Sequence, residues 1–121
     1  MSDLAEPVVV FITVGSRSEA VMLAEKLVGE RLAACVQILP EIESIYRWQG
    51  RVEFASEFLI LIKTTRDRLV ELEVAVLALH SYETPEIIAV PVTHCLPAYL
   101  AWLKESVGPA SGEAGASAPQ H

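Results

Sequence analysis

An α+β sandwich, with an antiparallel four-stranded sheet and two helices on one of its faces, is the fold class this sequence predicts. Three observations predict it. Short β-branched runs and amphipathic stretches follow one another in the order β-α-β-β-α-β-α. The two middle extended segments meet at a single Gln49-Gly50 turn. And 52% of the 121 residues are hydrophobic, with no break in composition that would divide the chain, so one small domain has an apolar surplus to hide.

Pro7 to Val14 contains Val8-Val9-Val10-Phe11-Ile12-Thr13-Val14 and stops at Gly15. Apolar throughout, it is expected to be a strand buried on both faces. Ser16-Arg17-Ser18-Glu19 has the spacing of a capping box, in which the Ser16 hydroxyl and the Glu19 carboxylate satisfy free amides of the first turn. The helix it opens carries Ala20, Leu23, Ala24, Leu27 and Val28 on one stripe and ends near Gly29 to Arg31. Cys35–Trp48 and Arg51–Thr64 are expected as two long antiparallel strands, interrupted near Pro40 and near Ala55-Ser56 by bends or bulges. Beyond Pro40, Ile42, Ser44, Tyr46 and Trp48 share one face. Such strands far exceed the usual five or six residues, and their far half carries Tyr46, Trp48, Val52 and Phe54 into water.

Thr65 is placed to cap the next helix, with Asp67 in its first turn. Leu69, Leu72, Val76 and Leu79 make its apolar stripe, His80 stands at its end, and Pro85 prevents continuation. Glu86 to Thr93 is a fourth strand in which Pro91 marks a sheet edge or a bulge. Leu96-Pro97 opens a last helix bearing Tyr99, Leu100, Trp102 and Leu103. The first six elements give the split βαβ arrangement of ferredoxin-like domains, with a C-terminal helix added. The sheet face away from the helices has no cover within the chain, and neither has the long hairpin, so sister subunits are expected to supply it. Residues 1–107 form the one domain; 108–121, rich in Gly, Ala, Ser and Pro, are expected to be disordered.

Nine basic against sixteen acidic residues give a net charge of −7. That excludes a nucleic-acid backbone as partner, since phosphate neutralisation needs clustered Lys and Arg. No apolar stretch approaches the roughly 20 residues that span a bilayer, and the acidic start, Met1 to Pro7, lacks the basic region of a secretory signal. The expected compartment is the cytosol. Cys35 and Cys95 lie far apart, which excludes a Cys-x-x-Cys zinc or redox motif and leaves two reduced thiols.

Glu30-Arg31-Leu32-Ala33-Ala34-Cys35-Val36, Ser44-Ile45-Tyr46-Arg47-Trp48-Gln49-Gly50, Leu61-Ile62-Lys63-Thr64-Thr65 and His80-Ser81-Tyr82-Glu83-Thr84-Pro85-Glu86-Ile87-Ile88 occur in that order. With Tyr99-Leu100-Ala101-Trp102 they resemble the CutA divalent-cation-tolerance family over roughly Val8 to Val107. The resemblance implies a ferredoxin-like fold, a homotrimer whose long hairpins wrap neighbouring subunits, and a link to tolerance of copper and other divalent metals. Two departures stand out. Val14-Gly15-Ser16 replaces the family's frequent Thr-Cys-Pro-like step, and His80-Ser81-Tyr82-Glu83 replaces its His-Pro-Tyr-Glu.

His80, Glu83 and Glu86 are the candidate ligands for a divalent metal such as copper, because imidazole and carboxylates suit such an ion when several converge. The competing reading has His80 capping its helix and Glu83 steering the turn. Tyr46, Trp48, Lys63, Tyr82 and Trp102 are the candidate lining of an intersubunit cleft, or else core and interface anchors. Cys35 is expected to be a small buried hydrophobe, and His94-Cys95 alone closes no coordination shell. No Gly-x-Ser-x-Gly or His-Glu-x-x-His nucleophile or metalloprotease motif occurs, so no enzymatic role is expected. The alternative function is a PII-like trimer that senses a small ligand in its clefts. The absence of a Gly-rich phosphate loop speaks against it.

Overall fold

A computed structural model of the chain describes residues 5–108. The expected tail from residue 109 onward lies outside the described residues. Four strands, β1 (Pro7–Val14), β2 (Cys35–Trp48), β3 (Arg51–Thr65) and β4 (Ile87–Pro91), form one sheet in the order β2-β3-β1-β4, and every neighbouring pair is antiparallel. Three helices, α1 (Arg17–Gly29), α2 (Leu69–Leu79) and α3 (Pro97–Ser106), complete the α+β fold.

The core lies between the sheet and α1 and α2. From the strands come Val10, Ile12, Ile60 and Ile62; from the helices come Leu23, Leu27, Leu72 and Val76, all fully buried. In β1 burial alternates: Val8, Val10, Ile12 and Val14 are sealed, whereas Val9 and Phe11 are half-covered. The strand is therefore not buried on both faces as expected. Its second face looks away from α1 and α2. That face is not bare either, because α3 packs on β3 and β1 there. Tyr99 of α3 bonds to Cys35, which points opposite to the core residue Val36, and Leu103 is buried beneath the helix. The expectation of a wholly uncovered face needs that correction.

Local signals explain the boundaries. Ser16 caps α1 by accepting from the Glu19 amide at 3.2 Å. The Glu19 carboxylate does not return to Ser16 to close a box; it crosses to Ser81. Arg31 takes the left-handed conformation (φ 60) just past α1, and the chain reverses there with the Leu32 amide on the Leu27 carbonyl. Thr65 makes no side-chain cap; its hydroxyl bonds to Asp67 Oδ1, and a 3-10 turn, Arg66–Arg68, precedes α2. Pro91 ends β4 on the sheet edge, where its missing N–H costs no ladder bond.

β2 and β3 make the long hairpin. Trp48 pairs with Arg51 across Gln49 and Gly50, both at positive φ (51 and 80), the geometry of a tight two-residue turn. Leu39 pairs with Leu59 but Ile42 with Glu57, so β2 carries one residue more than β3 at Pro40-Glu41. Ala55 and Ser56 pair regularly with Ser44 and Glu43, so the second expected interruption is absent and the bulge belongs to β2 alone. One extra residue in a period-two element exchanges the faces. Before the bulge the odd-numbered residues of β2 lie on the Glu57–Lys63 face of β3; after it, Ser44, Tyr46 and Trp48 do.

Deleting Glu41 is expected to restore one register through the hairpin and move Tyr46 and Trp48 to the opposite face. In a Trp102→Phe background this should shift Trp48 emission, with a stability loss of about 1–3 kcal/mol in denaturant titration. Emission and stability both unchanged would show that the bulge does not set the faces.

Candidate functional site

A cleft of about 370 Å³ opens where the hairpin leaves the body of the sheet, lined by Thr13, Ser44, Tyr46, Trp48, Glu57, Tyr82, Glu83, Thr84 and Glu86. Its hairpin wall exists because of the bulge, which brings Ser44, Tyr46 and Trp48 to the face that bears Glu57. Its other wall is the segment between α2 and β4, which folds over the end of β1 beyond the last β1–β4 pair, Ile12–Ile87.

His80 pins that segment. Its ring is buried, Nε2 lies 2.8 Å from the Thr13 carbonyl oxygen, and Nδ1 accepts the Tyr82 amide at 3.0 Å. A carbonyl only accepts and an amide N–H only donates, so the two bonds define the neutral ring with its proton on Nε2. Ser81 adds a second tie: its amide and hydroxyl donate to the two Glu19 oxygens at 2.8 and 3.1 Å. A proline at 81 could make neither bond. With the segment held, the Tyr82 ring tilts against His80, centroids 4.7 Å apart, and its hydroxyl donates to Glu57 Oε2 at 2.7 Å.

Glu57 is the floor of the cleft and only 7% exposed. Among the described residues Tyr82 is the one hydrogen-bond donor to its carboxylate. Burial first, and then the bonded Glu57 carboxylate, push the Tyr82 phenol well above the ordinary tyrosine range. At the mouth, partial burial and then the Glu57 charge raise the Glu86 carboxyl above its usual value. In both groups burial acts first and the neighbouring Glu57 carboxylate second.

The structure thus brings together five of the residues singled out from sequence, Tyr46, Trp48, Tyr82, Glu83 and Glu86. His80 lies behind the wall with both ring nitrogens engaged, and it is not gathered with Glu83 and Glu86 into one group. Among the described residues no set of three or more His, Cys, Asp or Glu side chains stands close enough to hold a metal ion. One chain by itself does not fit a copper shell. Lys63 lies elsewhere on the sheet, bonded to Gln37 Oε1, and Trp102 lines a separate recess with Val28, Arg31, Ala33, Ala34, Glu105 and Ser106. Sequence reasoning missed Glu57, Glu19 and Thr13. The available signal for Glu57 was an acid within β3 directly before the apolar run Phe58–Ile62.

The fold and cleft define a small α+β protein, four antiparallel strands in the order β2-β3-β1-β4 with three helices, and an acidic, aromatic-walled recess at the root of its long hairpin. The chain belongs to the family described as CutA1 divalent ion tolerance protein, whose model matches residues 8–106. It is 50% identical over 100 residues to the divalent-cation tolerance protein CutA of Thermus thermophilus, covering 83% of this chain and 97% of that one. It is 48% identical over 105 residues to the chloroplastic CutA of Arabidopsis thaliana, covering 87% of this chain and 58% of that longer one. Among solved structures, CutA1 from Oryza sativa superposes with a TM-score of 0.84 at 41% identity, over 88% of this chain and 98% of that chain. The Thermus thermophilus protein gives 0.83 at 49% identity, over 84% and 99%.

Two outcomes test the pinning network. His80→Ala leaves the buried Thr13 carbonyl and the Tyr82 amide unpaired and is expected to cost about 2–4 kcal/mol in denaturant unfolding. His80→Gln, which offers one donor and one acceptor, should recover part of that loss. Glu57→Gln removes the carboxylate beside Tyr82, so the phenol should ionise at lower pH in a near-ultraviolet difference titration; an unmoved titration would contradict the Tyr82–Glu57 pair.

Proposed function

We propose that this chain acts in divalent-cation tolerance as a ferredoxin-like homotrimer of the cytosol, formed by residues 1–107 as one domain, with copper as the ion. The observation that carries the role is the near-full-length likeness to a protein named for divalent-cation tolerance. The strand order supports the ferredoxin-like assignment, since β4-β1-β3-β2 is what a split βαβ unit produces. No catalytic role is assigned: the family is described by ion tolerance, not by a reaction.

Support for association comes from the hairpin. Ile45 is 61% exposed and its cross-strand partner Phe54 64%, with Val52 beside them on one face, while Tyr46 and Trp48 stand half-exposed on the other. Large apolar side chains in one projecting arm are the kind of surface that a neighbouring subunit covers. Copper contacts, in this reading, are shared between subunits through Glu83 and Glu86. His80 would join them only by giving up one of its two hydrogen bonds.

Sedimentation at micromolar concentration should report three protomers, and Phe54→Glu should shift the distribution to monomer; a compact wild-type monomer would remove the assembly. Calorimetric titration of the metal-free protein with copper(II) should show saturable uptake that drops at least severalfold in a Glu83→Gln, Glu86→Gln double variant. Equal uptake by both proteins would remove the copper assignment.

A further inference from the structure

The same cleft, whose rim acids Glu83 and Glu86 carry the copper reading, has a floor and aromatic walls that this reading does not use. It combines a nearly buried carboxylate, further acids at the rim and three aromatic rings, in a space of about 370 Å³. No lysine or arginine lines it. A small anion would meet only negative charge there. A bare divalent ion needs several ligand atoms converging within bonding distance, and the described residues gather no such group. An ion of that kind also has no use for ring faces. An ammonium group on an apolar body uses every feature: Glu57 supplies the countercharge, and Tyr46, Trp48 and Tyr82 supply π surfaces that attract a desolvated cation.

We infer that this cleft is a binding site for a small organic ammonium ion, whose cationic head lies against Glu57 and whose carbon body lies between the hairpin aromatics and Tyr82. Glu57 suits the part because it is nearly buried and held in place: one oxygen takes the Tyr82 hydroxyl, and among the described residues no other donor bonds to the carboxylate. A buried carboxylate with only one such donor gains more from an arriving cation than a hydrated surface acid does. Glu86 at the mouth, whose carboxyl is raised by partial burial and by Glu57, adds attraction on entry and is relieved of repulsion once a cation sits between the two.

The inference shares Glu86 with the copper assignment but not Glu57 or the rings, and chelator-treated protein separates the two. Full-length wild-type protein is titrated with tetramethylammonium and, separately, with 1,4-diaminobutane, against sodium and magnesium chloride at matched ionic strength. Binding is followed by calorimetry and by tryptophan emission. Saturable heat with quenching of emission is expected for at least one ammonium probe and for neither inorganic salt. Glu57→Gln keeps the side-chain shape and an acceptor for Tyr82 and should weaken binding roughly tenfold. Glu86→Gln, a change at the exposed rim that the fold tolerates, should weaken it roughly threefold. Trp48→Phe should keep the heat and lose the quenching. The inference is overturned if neither probe saturates, if magnesium reproduces the response, or if folded Glu57→Gln and Glu86→Gln proteins bind as the wild type does.

Discussion

One extra residue in β2 governs the functional end of this molecule. At Pro40-Glu41 two residues of β2 face one of β3, and every side chain beyond them changes sides. Proline is suited to that position because it has no N–H to give to a ladder that is already broken. Without the shift Ser44, Tyr46 and Trp48 would lie on the helix side of the hairpin and Glu57 on the other. With it, the aromatics and the carboxylate share a face, and the cleft has a wall and a floor.

The opposite wall depends on hydrogen bonds between elements distant in sequence. Glu19 at the start of α1 holds Ser81, His80 at the end of α2 holds the Thr13 carbonyl, and Tyr82 reaches Glu57 on β3. Each link positions the next. The amide that donates to His80 Nδ1 belongs to Tyr82 itself, so the imidazole orients the phenol as well as pinning the backbone. Using His80 as a metal ligand would loosen the wall whose side chains line the cleft. Structural and ligating roles for this histidine therefore compete, and the geometry favours the first.

What could be read in the sequence was whatever local chemistry decides. The element order, the Ser16 cap, the Gln49-Gly50 turn, the irregularity at Pro40 and the edge position of Pro91 each follow from a few adjacent residues. Tyr46, Trp48 and Tyr82 were singled out as cleft residues together with Lys63 and Trp102, and Glu83 and Glu86 as metal ligands together with His80. That Tyr46, Trp48, Tyr82, Glu83 and Glu86 line one cleft depends on the bulge and on the fold of the α2–β4 segment. The failures share a cause. β1 is apolar on both faces, so its pattern says nothing of which face meets two helices and which meets only α3. Glu19 had a local partner at Ser16, and a more distant one at Ser81 prevailed. Glu57 carries little local signal for burial, because what buries it includes a tyrosine 25 positions later in the chain.

The two faces of the hairpin arm then separate into different physical roles. Ile45, Val52 and Phe54 offer no polar atom beyond the backbone; burying such side chains contributes roughly 1.5–3 kcal/mol each, and leaving them wet contributes nothing. That face is shaped for cover by protein. Tyr46 and Trp48 on the other face stand beside a nearly buried carboxylate and two rim acids, where a purely apolar cover would leave the Glu57 carboxyl group with a single hydrogen bond. Such cover carries a desolvation cost that a cation does not. The arm thus has one surface suited to a neighbouring chain and one suited to a positively charged ligand, and the residue that divides them is the bulge at its root.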